Sequence, residues 1–152
     1  MKKQKLIREQ LDSRILLLRK TGNQVVPGQG WVYSIRQALG MSMRQLGKRM
    51  GITAQSIKEI EDRELNGTVS LKVLRQVGKA LNMKLVYGFV PEKGSLESII
   101  EERAYELARE IVTRTSVSMK LEDQENNPSR IKKAITEKAN ELKTEMPRYL
   151  WD

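Results

Sequence analysis

The sequence predicts an all-α fold with one short strand. Three observations carry this. Between residues 31 and 81, Gly, Ser and Thr recur at the places where short helices begin and end. Before and after that stretch, apolar residues recur at helical spacing. Only Lys84-Leu85-Val86-Tyr87-Gly88-Phe89-Val90 has the β-branched and aromatic content of a strand.

The first helix covers residues 3–20, where Ile7, Leu11, Ile15 and Leu18 recur among Lys and Arg. Thr21-Gly22-Asn23 stops it, and a turn-rich link with Pro27-Gly28 follows to Gly30. Four short helices come next. One runs from about Val32 to Leu39 and ends at Gly40. The second follows Ser42, an N-cap residue, and ends at Met50 with Gly51 after it. The third follows Thr53 and runs to about Arg63, before the Asn66-Gly67 turn. The fourth follows Ser70 and spans Leu71 to Leu81. The strand, residues 84–90, has no second strand in the chain to pair with, which suggests pairing with its copy in a second subunit. Ser95 then caps a long helix with Leu96, Ile99, Ile100, Ala104, Leu107, Ala108 and Ile111 on one face. Asn126-Asn127-Pro128 interrupts the pattern. A last helix follows Ser129, carries Ile131, Ile135, Leu142 and Met146, and ends before Pro147. The expected organisation is an N-terminal helix and linker over 1–30, a four-helix domain over 31–83, strand and turn over 84–94, and C-terminal helices for dimerisation and partner binding over 95–152.

Composition restricts the chemistry. The chain has no Cys and no His, which removes disulfides, thiol nucleophiles, imidazole acid–base catalysis and the usual zinc sites. No metal and no cofactor is expected, and nothing forms a nucleophile–base pair or a Gly-rich phosphate loop, so the chain does not read as an enzyme. Glu101, Glu102, Glu106 and Glu110 alternate with Arg103, Arg109 and Arg114 and read as a solvated helix face. No apolar run reaches the ~20 residues of a membrane span, and the basic N-terminus lacks a signal-peptide core. A cytoplasmic protein is expected. The first helix is basic and apolar enough for a membrane surface, yet packing on the domain or on a partner subunit explains it equally well.

The net charge of +9 is unevenly placed. Residues 1–94 hold 18 Lys and Arg against 7 Asp and Glu, whereas residues 95–152 hold 10 against 12. The basic part suits a polyanion, nucleic acid first among them. Within it, residues 45–61 have the pattern of a helix-turn-helix. Gly47 supplies the small residue where two helices cross, and Gly51 the sharp turn. Leu46, Met50, Ile52, Ile57 and Ile60 fit the apolar contacts that lock the pair. Gln45, Thr53, Gln55, Ser56, Lys58 and Glu59 remain for the exposed face. In this motif the start of the second helix enters the major groove. Gln55 and Ser56 are therefore candidates for base contacts, and Lys58 for a base or phosphate. Thr53 caps the helix whose first amides can hold a phosphate. Arg44, Gln45, Lys48 and Arg49 are candidates for the DNA backbone.

Residues 31–81 resemble the lambda-repressor-like, Cro-type helix-turn-helix domain, with Gly47 where that family more often has Ala. A longer resemblance rests on Gly30-Trp31, Ile35 to Ser42, Leu85 to Pro91, Ser95-Leu96-Glu97 and Ser118 to Gln124. Together these are similar to the family called mobile mystery protein A over roughly residues 5–125. That resemblance implies a DNA-binding antitoxin encoded beside a Fic-domain toxin that transfers AMP. It further implies that Ser118 and Glu122 belong to an inhibitory helix, with Glu122 set against an arginine of the toxin's ATP site, although Asp123 stands where that motif has Gly or Asn. The expected partners are double-stranded operator DNA, the Fic toxin and a second copy of the chain, with residues 84–112 as the homodimer contact. The alternative is a stand-alone dimeric repressor.

Overall fold

The computed structural model describes residues 2–20, 26–121 and 127–152, and within these the side chains of all but 118–121. The elements are α1 (Lys2–Lys20), α2 (Trp31–Ala38), α3 (Met43–Met50), α4 (Ala54–Asn66), α5 (Leu71–Ala80), α6 (Leu96–Leu121), α7 (Pro128–Glu145) and a closing 3₁₀ turn (Arg148–Trp151). They fall into two units, one of Arg19–Gly88 and one of Phe89–Asp152 with Met1–Leu18.

In the Arg19–Gly88 unit, α2 to α5 surround one aliphatic core. Val32 of α2, Leu46 of α3, Ile57 and Ile60 of α4, and Val77 of α5 meet there, with Leu81 closing it. Leu46 and Ile57 are fully buried, so truncating either to Ala would cost about 2–5 kcal/mol. The boundaries follow capping chemistry. Ser42, Thr53 and Ser70 each accept a hydrogen bond from the amide three residues on, and Gly51 and Gly67 end α3 and α4 in the left-handed region. α4 runs three residues further than its sequence pattern suggests, because only Gly67 supplies a stop.

The expected strand is absent. Residues 83–90 have no regular secondary structure, and there is no strand among the described residues. The physical reason is the missing neighbour. β-branched and aromatic residues favour a strand only when a pleated surface covers them, and here Val86, Tyr87 and Phe89 are exposed. Tyr87 instead lies against Arg75, whose guanidinium sits 5.6 Å from the ring centroid.

In the other unit, α6 and α7 pack along each other. Lys143 near the end of α7 bonds Glu97 and Glu101 near the start of α6, so the two run antiparallel. Ala104 and Ala108 let the helices approach closely, and Ile100, Ile135, Leu142 and Leu150 fill the space around them. Arg103 donates to the carbonyls of Leu150 (2.6 Å) and Asp152 (2.7 Å), holding the 3₁₀ turn on α6. α7 begins at Pro128 rather than after Ser129: Asn127 is its N-cap and Pro128 takes the first helical turn. There the missing N–H has no helical partner to lose. α1 meets α6 through Arg8 and Glu97 (3.2 Å) and through Asp12, which accepts from the Leu96 amide (2.9 Å).

Candidate nucleic-acid interface

The geometry of the pair α3–α4 begins at Ser42. Its hydroxyl accepts from the Gln45 amide (3.1 Å), while the Gln45 side-chain oxygen accepts from the Ser42 amide (2.8 Å). This reciprocal box fixes the first turn of α3 and orients Gln45. At the other end, Gly51 (φ 72°) turns the chain, and the Ile52 amide donates to the Gly47 carbonyl (2.9 Å). The chain passes so close to Gly47 that a Cβ there would lie 2.6 Å from the Ile52 carbonyl oxygen. The need for a small residue at the crossing is therefore strict in this protein.

α4 starts at Thr53, whose hydroxyl accepts from the Ser56 amide (3.1 Å) and lies 2.9 Å from the Ser56 hydroxyl. Ile57 and Ile60 point into the core. Gln55 and Lys58 are exposed and Ser56 is half-buried, and the first turn of α4 contains no acidic residue. Arg44, Gln45, Lys48 and Arg49 are exposed on α3. Arg49 turns toward α5, with Nη1 3.5 Å from the Ala80 carbonyl. All eight candidates thus sit on α3, the turn and the first half of α4, seven of them exposed and Ser56 half-buried. Ser118 lies on the last turn of α6 with its side chain outside the described residues, and Glu122 lies outside them altogether.

Two acids on the inner face of α4 escape the sequence reading of function. Glu61 forms a buried pair with Arg36 of α2, with Nε–Oε1 at 2.6 Å and Nη2–Oε2 at 3.2 Å. Arg36 also donates to the Met41 carbonyl (3.0 Å) and lies over the Tyr33 ring. The bond to Glu61 raises the Arg36 pKa above its ordinary value against the opposing effect of burial. One turn on, Glu64 accepts from the amides of Trp31 (2.7 Å) and Val32 (2.8 Å). Gly30 offers no side-chain cap, so a carboxylate from α4 caps α2 instead. The signal was present: Glu61 and Glu64 share the helical face of Ile57 and Ile60, and acids on an apolar face need partners.

Residues 32–87 match the family model described as helix-turn-helix. The chain carries a helix-turn-helix DNA-binding regulatory domain. No curated protein and no solved structure matches the chain. The domain is regulatory rather than catalytic, and among the described residues no cluster of acids could hold a metal ion. No described helix is long and apolar enough to cross a membrane.

Proposed function

We infer that the chain is a sequence-specific transcriptional repressor that binds an inverted repeat as a homodimer in the cytoplasm. One observation carries this reading. The start of α4 presents Gln55 and Ser56 on an acid-free first turn and Lys58 just beyond it, while Ile57, Ile60, Glu61 and Glu64 hold its other face. Gln and Ser are suited to base edges, and Lys to guanine or phosphate. Arg44, Gln45 and Lys48 on α3 suit the flanking backbone, because in this motif the first helix crosses it. A single short helix gives few base contacts, so two copies on two half-sites supply the specificity. Residues 84–112 are the proposed contact between copies: Val86, Tyr87 and Phe89, and Ile99 and Tyr105 on α6, are exposed.

The repressor reading needs the domain at 31–83 and a contact between copies. The antitoxin role implied by the resemblance to mobile mystery protein A needs in addition Ser118 and Glu122, whose side chains lie outside the described residues, whereas the family match over residues 32–87 covers the DNA-binding domain alone. The stand-alone repressor is therefore preferred. Selection from a pool of random duplexes tests it. The expected product is an inverted repeat with half-site centres about 34 Å apart, bound more weakly as salt rises. Failure to enrich any sequence, together with salt-independent binding, would contradict the proposal.

A further inference from the structure

The Arg19–Gly88 unit contains a pocket of about 760 Å³ between the end of α3, the middle of α4, the 68–70 segment and α5. Its lining has two parts. Ile52, Val69 and Val73 belong to an apolar wall, and Arg49, Arg63 and Lys79 bring three positive charges, with no acid among the lining residues. The hydroxyls there are already engaged: Ser70 accepts from the Val73 amide and Thr68 donates to Asn66. Gln76 adds a neutral amide, and the three cations set the charge that the pocket prefers.

We propose that this pocket binds a small carboxylate with an aliphatic or aryl body, and that occupancy weakens DNA binding. The volume lies inside the ~300–1,000 Å³ range of small-molecule sites and is far larger than a bare phosphate requires. A phosphate would also gain nothing from the apolar wall, whereas the body of an amphiphilic acid gains from every apolar contact there. Its carboxylate would meet a guanidinium or ammonium group, the pairing with the best geometry and charge for it. The link to DNA follows from position. Ile52 belongs to the turn between α3 and α4, and Arg49 belongs to α3, so a bound anion both props the turn and neutralises charge beside the DNA-facing surface. This second half rests on the DNA-binding reading above.

The test uses the full chain and 2-naphthoate, with 2-naphthylmethanol as the neutral isostere. Backbone amide shifts should saturate at Ile52, Val69, Val73 and Ala80, with the neutral compound at least tenfold weaker. Gln76→Trp, which fills the pocket from its exposed side, should abolish the shifts, and Arg63→Gln should weaken binding several-fold. Saturating naphthoate should lower affinity for the selected DNA by fivefold or more, in the ordinary range of coupling between two sites. Absence of saturable shifts at millimolar naphthoate would overturn the site, as would shifts that survive both substitutions. Binding with unchanged DNA affinity would overturn the regulatory half. A chain that binds naphthoate but no DNA would leave the site standing and refute the repressor.

Discussion

Glu61→Gln isolates the contribution of the buried pair that ties α4 to α2. Arg36 and Glu61 are 5% and 6% exposed, and the guanidinium makes two bonds to the carboxylate and one to the Met41 carbonyl. Gln keeps the shape and one acceptor but removes the charge, leaving Arg36 buried without its counterion. Breaking such a pair from one side costs about 3–5 kcal/mol, and the retained acceptor puts Glu61→Gln near the lower end. For a unit of this size that corresponds to a fall of roughly 12–24 °C in Tm. Urea and thermal unfolding followed by Trp31 fluorescence, in a Trp151→Phe background, measures it, since these are the two tryptophans of the chain. Replacing both partners, as Arg36→Met with Glu61→Met, removes the orphaned charge and should recover most of the loss. A Glu61→Gln protein within 0.5 kcal/mol of the parent (about the spread of a neutral surface change) would refute the reasoning.

Gly47→Ala should destabilise the helix-turn-helix unit despite a gain of about 1 kcal/mol in helix propensity, because the new Cβ meets a backbone oxygen at 2.6 Å and the turn must open; urea unfolding that shows a net gain would contradict this. Lys143 is raised above its ordinary pKa, first by its bond to Glu101, so its contribution is complete below the unfolded lysine value and is lost as pH rises through the folded one. The stability difference between the parent and Lys143→Met should therefore be flat from pH 7 to about 9.5 and shrink above that; a difference still constant well above the ordinary lysine range would exclude the linkage.

The helices were legible in the sequence because their ends are written in local chemistry. Ser42, Thr53 and Ser70 act on amides three residues away, and Gly51 and Gly67 on a single turn, so short-range patterns suffice. The strand at 84–90 was misread because residues 84–90 satisfy a local propensity while lacking the neighbour that gives it effect. The start of α7 was misread because Pro128 breaks a helix in its interior but begins one at its first turn. The clamp from α4 to α2 was hidden for a different reason. Arg36 and Glu61 are 25 positions apart, and Glu64 and Trp31 are 33 apart, so no local pattern joins them. The exposed face at the start of α4 was readable from helical period, since Gln55, Lys58 and Glu59 fall away from Ile57 and Ile60.

Binding of Gln55→Ala to the selected operator tests the central claim most directly. Gln55 is exposed on the first turn of α4 and contributes nothing to the core, so folding should be unchanged. Affinity for the preferred sequence should fall by about 1–3 kcal/mol, with preference relaxed at one base pair of each half-site. Lys48→Ala, by contrast, should weaken all sequences alike and reduce the salt slope by about one unit per half-site. An unchanged footprint and an unchanged sequence preference for Gln55→Ala would show that α4 does not read the bases.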